Sequence, residues 1–367
     1  MMKKLLVFSF ILISSVVSLK AQRIQVIDTD GDPVPYVAVT TEQGKLVGTT
    51  DIDGVFENTS ENTVLCLSQV AYKPLTVNLS EVVDGVITME DADYVLPDVV
   101  VKPKELLYMQ TYYRVTYIDE EGPIYYRAGI IDNTYEFAKE KIDIKEKSIS
   151  EANSGLLKIT LNALAGHLIK DRCKLHKRSA YQLVNRNDGK WAKVNVTSDS
   201  TGRQVISDFV SVLGYIDEDK ESGTRTLSFS GWLFNKHLNI ANEKNEKKKE
   251  KKQAELEKEE QETERSFYEV YRMDENGNSS IGDFVMQQSC VTGTHKGTTT
   301  KYIQIVEAFA TETAYIDKKE FKQTRKDNDV DKSYVDMLRY EKAHNIPPLA
   351  PNMREQIDKL FEKELSQ

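Results

Sequence analysis

The hydrophobic and polar positions change rhythm along the chain. From Ile24 they alternate at strand spacing in short runs: Ile24–Ile27, Val34–Thr40, Leu46–Thr50, Val55-Phe56, Val64–Val70, Leu75–Leu79, Val86–Met89 and Leu96–Val101. Polar clusters at Asp28–Pro33, Gln43-Gly44 and Asp51–Gly54 separate them. Asp53-Gly54 is a turn dipeptide, because Gly accepts positive φ and Asp bonds the backbone just ahead. Short strands at this density predict a β-sandwich. Val64–Val70, the most apolar run, is its expected central strand, and Pro74 assigns the following run to an edge, since Pro cannot donate to a ladder.

After Pro103 the texture becomes aromatic. Tyr113–Tyr117 and Ile124–Ile130 flank the polar Asp119–Pro123, which predicts a β-hairpin with aromatics on both faces. A helix is expected over Ser154–Lys170, with Leu156, Ile159, Ala163, Leu164 and His167 at helical spacing. Strands are expected at Ala180–Val184, Trp191–Val196, Arg225–Phe229, Ser266–Arg272, Asp283–Gln288, Thr300–Ala310 and Glu312–Phe321. The end reads as helical: Ser333–His344, then a break at Pro347-Pro348. A last helix comes next, capped by Asn352 with Glu355 closing a capping box and carrying the stripe Met353, Ile357, Leu360, Phe361. The fold class is therefore mainly β: a sandwich over residues 22–102, an antiparallel α+β domain over 103–328, and a helical segment over 329–367.

Several stretches carry a family resemblance. Arg23–Val26, Gly31–Val39, Gly48–Phe56, Leu65–Tyr72 and Leu96–Val101 resemble, in that order, the carboxypeptidase-regulatory-like domain. That domain is a prealbumin-like β-sandwich of exported proteins in Gram-negative gut bacteria of the Bacteroides type, and it also stands at the front of their outer-membrane receptors. Ala71 stands where the family usually has Gly. The resemblance implies location and architecture, since the module is an accessory fold without catalytic residues. The tyrosine-rich region also resembles the segment C-terminal to the sandwich in such proteins, with no function attached to it.

Composition narrows the reading. The formal charge of −9 argues against nucleic acid, which wants a clustered basic face. Lys3 and Lys4, the apolar Leu5–Val17 and a small residue at Ala21 predict a signal peptide over residues 1–21. No later stretch is long and apolar enough to span a bilayer as a helix, so an integral membrane protein is not expected. Cys66 reads as a buried small hydrophobe; Cys173 and Cys290 are able to pair in an oxidising compartment, but three cysteines define no framework. Residues 243–265 form a charge run rich in helix formers, basic first and acidic last, which opposes the helix dipole at both ends. A solvated insertion is the expectation, a partner-binding arm the sharper alternative.

No catalytic motif survives inspection. A zinc carboxypeptidase needs His and Glu three residues apart, yet Lys170, Ser179, Ile240, Thr298 and Pro347 follow the five histidines at that spacing. Ser228–Gly231 lacks the leading Gly of a nucleophile elbow. Cys173 with His176 lies on a basic stretch. Asp28, Asp30 and Asp32, like Asp327, Asp329 and Asp331, alternate as calcium ligands do but lack the later Gly and Glu of that loop, and Gly293–Thr298 is a hairpin turn lacking the spacing of a phosphate loop. No metal and no cofactor is expected. The remaining candidates for a binding surface are Tyr112, Tyr113, Arg114, Tyr125, Tyr126 and Arg127, aromatics and cations able to grip a sugar ring or peptide; ordinary sheet packing competes with that role. The expectation is a non-enzymatic exported protein that binds or scaffolds in the periplasm or at the outer membrane, its partner an envelope protein or a glycan. A hydrolase with a site of scattered residues and a lipid-carrier-like curved sheet are the alternatives.

Overall fold

The computed structural model describes residues 22–58, 62–94, 105–139, 141–154, 195–200, 202–207, 212–230, 245–252, 254, 263–294, 298–321 and 333–366. Over these the protein is mainly β. The expected helix at Ser154–Lys170, the strand at Ala180–Val184, the closing run Leu96–Val101, Cys173 and the Asp327–Asp331 cluster lie outside the described residues.

The first unit is a seven-stranded sandwich: β1 (Gln22–Ile27), β2 (Ala38–Thr40), β3 (Leu46–Thr49), β4 (Val55–Asn58), β5 (Val64–Ser68), β6 (Leu75–Asn78) and β7 (Val86–Thr88). One sheet has the order β4-β1-β7 and the other β3-β2-β5-β6, so β5 is internal and β6 an edge. Inward alternation builds the core between them from Ile24, Val26, Val37, Val39, Phe56, Leu65, Leu67 and Ile87.

Two local expectations are corrected. The run Val34–Thr40 pairs as a strand only from Ala38, because Tyr36 takes a positive φ of 58° and breaks it. Thr50 secures that break: its Oγ1 accepts from Val37 N at 2.9 Å and donates to Val34 O at 3.0 Å. In the Asp51–Gly54 turn the bonding carboxylate is that of Asp51, not Asp53. Asp51 Oδ1 accepts from Asp53 N and Val55 N, both at 2.9 Å. The same device recurs at Asp28, Asp199 and Asp274, each followed three residues later by a positive-φ glycine: Gly31, Gly202 and Gly277. At Asp28 the carboxylate oxygen Oδ1 is occupied by Asp30 N and Asp32 N.

The second unit is one antiparallel sheet of ten strands. Its members are β8 (Leu106–Asp119), β9 (Gly122–Glu136), β10 (Lys141–Asn153), β11 (Asn195–Ser198), β12 (Gln204–Ser207), β13 (Val212–Asp219), β14 (Thr224–Ser230), β15 (Thr263–Arg272), β16 (Phe284–Thr294) and β17 (Lys301–Ile316). The order is β10-β9-β8-β17-β16-β15-β14-β13-β12-β11. Among the described residues two meanders, β8–β10 and β11–β17, are thus joined by the pairing of β8 with β17. The expected tyrosine hairpin is β8–β9, with Tyr112 opposite Ile130 and Thr116 opposite Tyr126. The runs Thr300–Ala310 and Glu312–Phe321 merge into β17; a bulge between Ala310 and Glu312 absorbs the phase change, and the chain turns helical after Asp317. The charge run ends earlier than expected, since β15 begins at Thr263, and its residues 246–252 are helical and almost wholly exposed.

Helices α1 (Tyr334–Ala343) and α2 (Pro351–Leu360) close the fold. Ser333 caps α1 through Asp336 N. Asn352 does not cap α2. The helix starts at Pro351, whose fixed φ suits the first turn, and Asn352 Nδ2 instead donates to Thr40 Oγ1 and Thr41 O of the sandwich. The stripe Met353, Ile357 and Phe361 is buried in a core shared with the sandwich residues Tyr36, Ala38 and Val70 and the sheet residues Tyr126, Met286 and Phe309. Among the described residues no helix is long and apolar enough to cross a membrane.

These local arrangements set two expected outcomes. A Cβ at Gly54, whose φ is +72°, would sit 2.5 Å from Val26 O; Gly54→Ala is expected to cost about 1–3 kcal/mol in chemical denaturation. Asp91, exposed but partly desolvated, is held above the usual carboxylate range by that desolvation, then by Asp28, Asp30 and Asp219. A carboxyl raised in the folded state binds more protons there than when unfolded, so its stability deficit is present at neutral pH and disappears as pH falls through the raised value. Asp91→Asn is therefore expected to raise the melting temperature at pH 7, with the gain shrinking in acid.

Candidate functional site

Register places the six candidate residues on two faces of one hairpin. Tyr112, Arg114 and Tyr126 share the face that carries the sandwich and the helices; Tyr113, Tyr125 and Arg127 share the other. They do not form one site.

On the first face a single rung crosses the sheet: Ala128, Arg114, Glu307, Gln288, Tyr268 and Ser228 are successive partners on six strands. Arg114, 2% exposed, occupies its centre. Its Nε donates to Glu307 Oε2 at 2.5 Å and Nη2 to Glu307 Oε1 at 2.9 Å, a bidentate clamp. Nη1 donates to Pro347 O at 2.8 Å, holding the linker between α1 and α2 against the sheet. Glu341 on α1 extends the network, accepting from Tyr112 OH at 2.7 Å and from Arg354 Nη2 on α2 at 2.6 Å. Burial pulls the Arg114 guanidinium down, but Glu307 and then Glu341 more than restore it, so it stays charged. Burial, followed by Tyr126 and Glu341, pushes the Tyr112 hydroxyl well above its ordinary range. Tyr126 packs edge-on against Tyr334 and Phe361, which stack on each other with centroids 4.0 Å apart.

Gln288 supplies the join to the sandwich. Its Oε1 accepts from Val70 N at 3.0 Å and its Nε2 donates to Tyr36 O at 2.8 Å. Beside it, the sandwich loop, the rung and Pro347-Pro348 enclose a cavity of about 30 Å³, enough for one water. Buried Gln69 Nε2 has no partner among the described residues. A second hollow, of about 390 Å³, lies between β3 and β4 and is lined by Arg23, Asp51, Phe56 and Glu57.

The second face uses the same residue types differently. Tyr113 OH donates to Glu146 Oε1 at 2.5 Å and accepts from Arg127 Nε at 2.9 Å; Arg127 also pairs with Glu146 and Glu151. Tyr125 OH donates to Glu151 Oε2 at 3.2 Å. A Cβ at residue 129 would meet the Tyr113 ring at 2.8 Å, so glycine there lets the ring lie flat across β9. Around these residues spreads an apolar cluster drawn from eight strands, including Met109, Val306, Ala308, Ala310, Leu227, Phe229, Ile206 and Ile216.

Among the described residues no three His, Cys, Asp or Glu side chains are grouped so as to hold a metal ion. Glu307, Gln288 and Glu341, which complete the first-face network, carry no sequence signal of their own. They stand about two hundred residues from the hairpin; the β8–β17 pairing brings Glu307 to it, and the docked helix α1 brings Glu341.

No protein-family model matches the chain, and no curated protein matches it. Among solved structures the chain is similar to one described as "lipid-protein interactions in lipovitellin", at 6% identity and a TM-score of 0.28. The match covers 58% of this chain and spans about a quarter (26%) of that one. Likeness at that level carries no argument about fold or activity.

Breaking the clamp from one side strands a charge in the core. Arg114→Met is expected to cost about 3–5 kcal/mol in urea denaturation, and adding Glu307→Leu to return most of it.

Proposed function

We propose that this chain is a non-enzymatic binding or scaffolding protein of the cell envelope, with the sandwich as an accessory module and an envelope protein or glycan as partner. The observation that carries this reading is the state of the reactive side chains. Arg114, Glu307, Glu341 and Tyr112 are buried, Arg354 is half-buried, and bonded to one another they fasten the helix pair to the sheet. Groups committed in this way position a framework and have no open valence for a substrate. The basic start and apolar run of residues 1–21, and the likeness of residues 23–102 to the carboxypeptidase-regulatory-like domain, support placement outside the cytoplasm.

A second reading, carriage of an apolar ligand, draws on the apolar cluster that eight strands build on the second face. Organic extraction of the purified protein followed by mass spectrometry favours this reading if it returns a stoichiometric lipid.

Cell fractionation tests the main proposal. The chain is expected in the envelope fraction, shortened by about twenty residues at its front, and without turnover of ester, peptide or glycoside reporters. Recovery of the uncut chain in the cytosol contradicts it.

A further inference from the structure

The ten-stranded sheet ends on one side in β10, 13 residues long, and among the described residues no strand lies beyond it. An edge of that length presents a row of backbone donors and acceptors to any strand that fits. Its first half is regular; a bulge between Glu146 and Ser148 ends the regular stretch. Within that stretch Asp143 and Lys145 are exposed on the first face, while Ile144 points to the second and packs against its apolar cluster.

We propose that a second copy of this chain pairs with this edge, β10 against β10, antiparallel about a two-fold axis through Ile144. The sequence around that point is complementary to itself. Antiparallel pairing centred on one residue sets its predecessor opposite its successor. Asp143 therefore faces the partner's Lys145, and Lys145 faces the partner's Asp143. On the other face the two Ile144 side chains meet and carry the apolar cluster across the axis. Opposite charges and apolar pairs directly across strands are stabilising, and a two-fold axis makes each favourable pair occur twice. Lysines on an edge ordinarily deter pairing. Here Lys145 gains a carboxylate in the dimer. Lys147, just beyond the regular stretch, is turned inward on Asp132 at 3.2 Å with 4% of its side chain exposed, so it leaves the edge clear.

Sedimentation velocity on the purified chain tests this pairing, with circular dichroism as the control for folding. The wild type is expected to sediment as a dimer. Lys145→Asp sets like charges opposite each other twice and is expected to weaken the dimer by about tenfold or more. Asp143→Lys combined with Lys145→Asp exchanges the charges and is expected to restore it. A monomeric wild type, a dimer indifferent to Lys145→Asp, or a charge-exchanged protein that remains monomeric overturns the proposal.

Discussion

A guanidinium removed from water at the centre of a sheet must be answered by charge, and much of this architecture supplies that answer to Arg114. Its neighbours in the rung provide one carboxylate and its covering helices provide another. A lone buried charge costs several kcal/mol after relaxation, so a sheet carrying Arg114 is stable only with Glu307 aligned beside it. That requirement fixes the register of β8 against β17, the pairing that joins the two meanders. It also brings in Pro347 O, and with it the linker that sets α1 and α2 on the sheet.

The sandwich is fastened by the adjacent rung position. Gln288 bonds one backbone N–H and one backbone carbonyl of the sandwich at once, satisfying groups that would otherwise be buried unpaired. Asn352 adds a second tie from α2, its Nδ2 donating to the Thr40 hydroxyl and the Thr41 carbonyl. Sandwich, sheet and helices therefore share one apolar core whose polar seams are closed by side-chain amides and a four-charge network. The sequence spreads these pieces over more than three hundred residues, yet the fold gathers them on one face.

Local structure was largely legible in the sequence. Alternation located all seven described strands of the sandwich, and Asp-Gly punctuation marked its central turn, because both effects act within a few residues. The tyrosine hairpin was legible for the same reason, down to the division of its aromatics between faces. Where local readings missed, a distant or finer constraint had intervened. Thr50 holds the backbone near Tyr36 out of the strand, a bulge at Thr311 fuses two runs into β17, and Pro351 takes the helix start from Asn352. Strand order was not legible, since nothing in Tyr113–Tyr117 announces Val306 as a neighbour. The candidate surface nonetheless read as one cluster, although the same alternation divides its six residues between the two faces. Arg114 and Arg127 are alike in sequence context; only tertiary pairing makes one a central clamp and the other a bridge on the opposite face.

The Arg114 rung makes sandwich, sheet and helix pair a single cooperative unit. Native-state hydrogen exchange under mild denaturant measures this most directly. Amides of Ala38–Thr40, of the middle of β8 and of Arg354–Leu360 are expected to open together with one shared free energy. A sandwich or helix pair that opens on its own, several kcal/mol below the sheet, would contradict it.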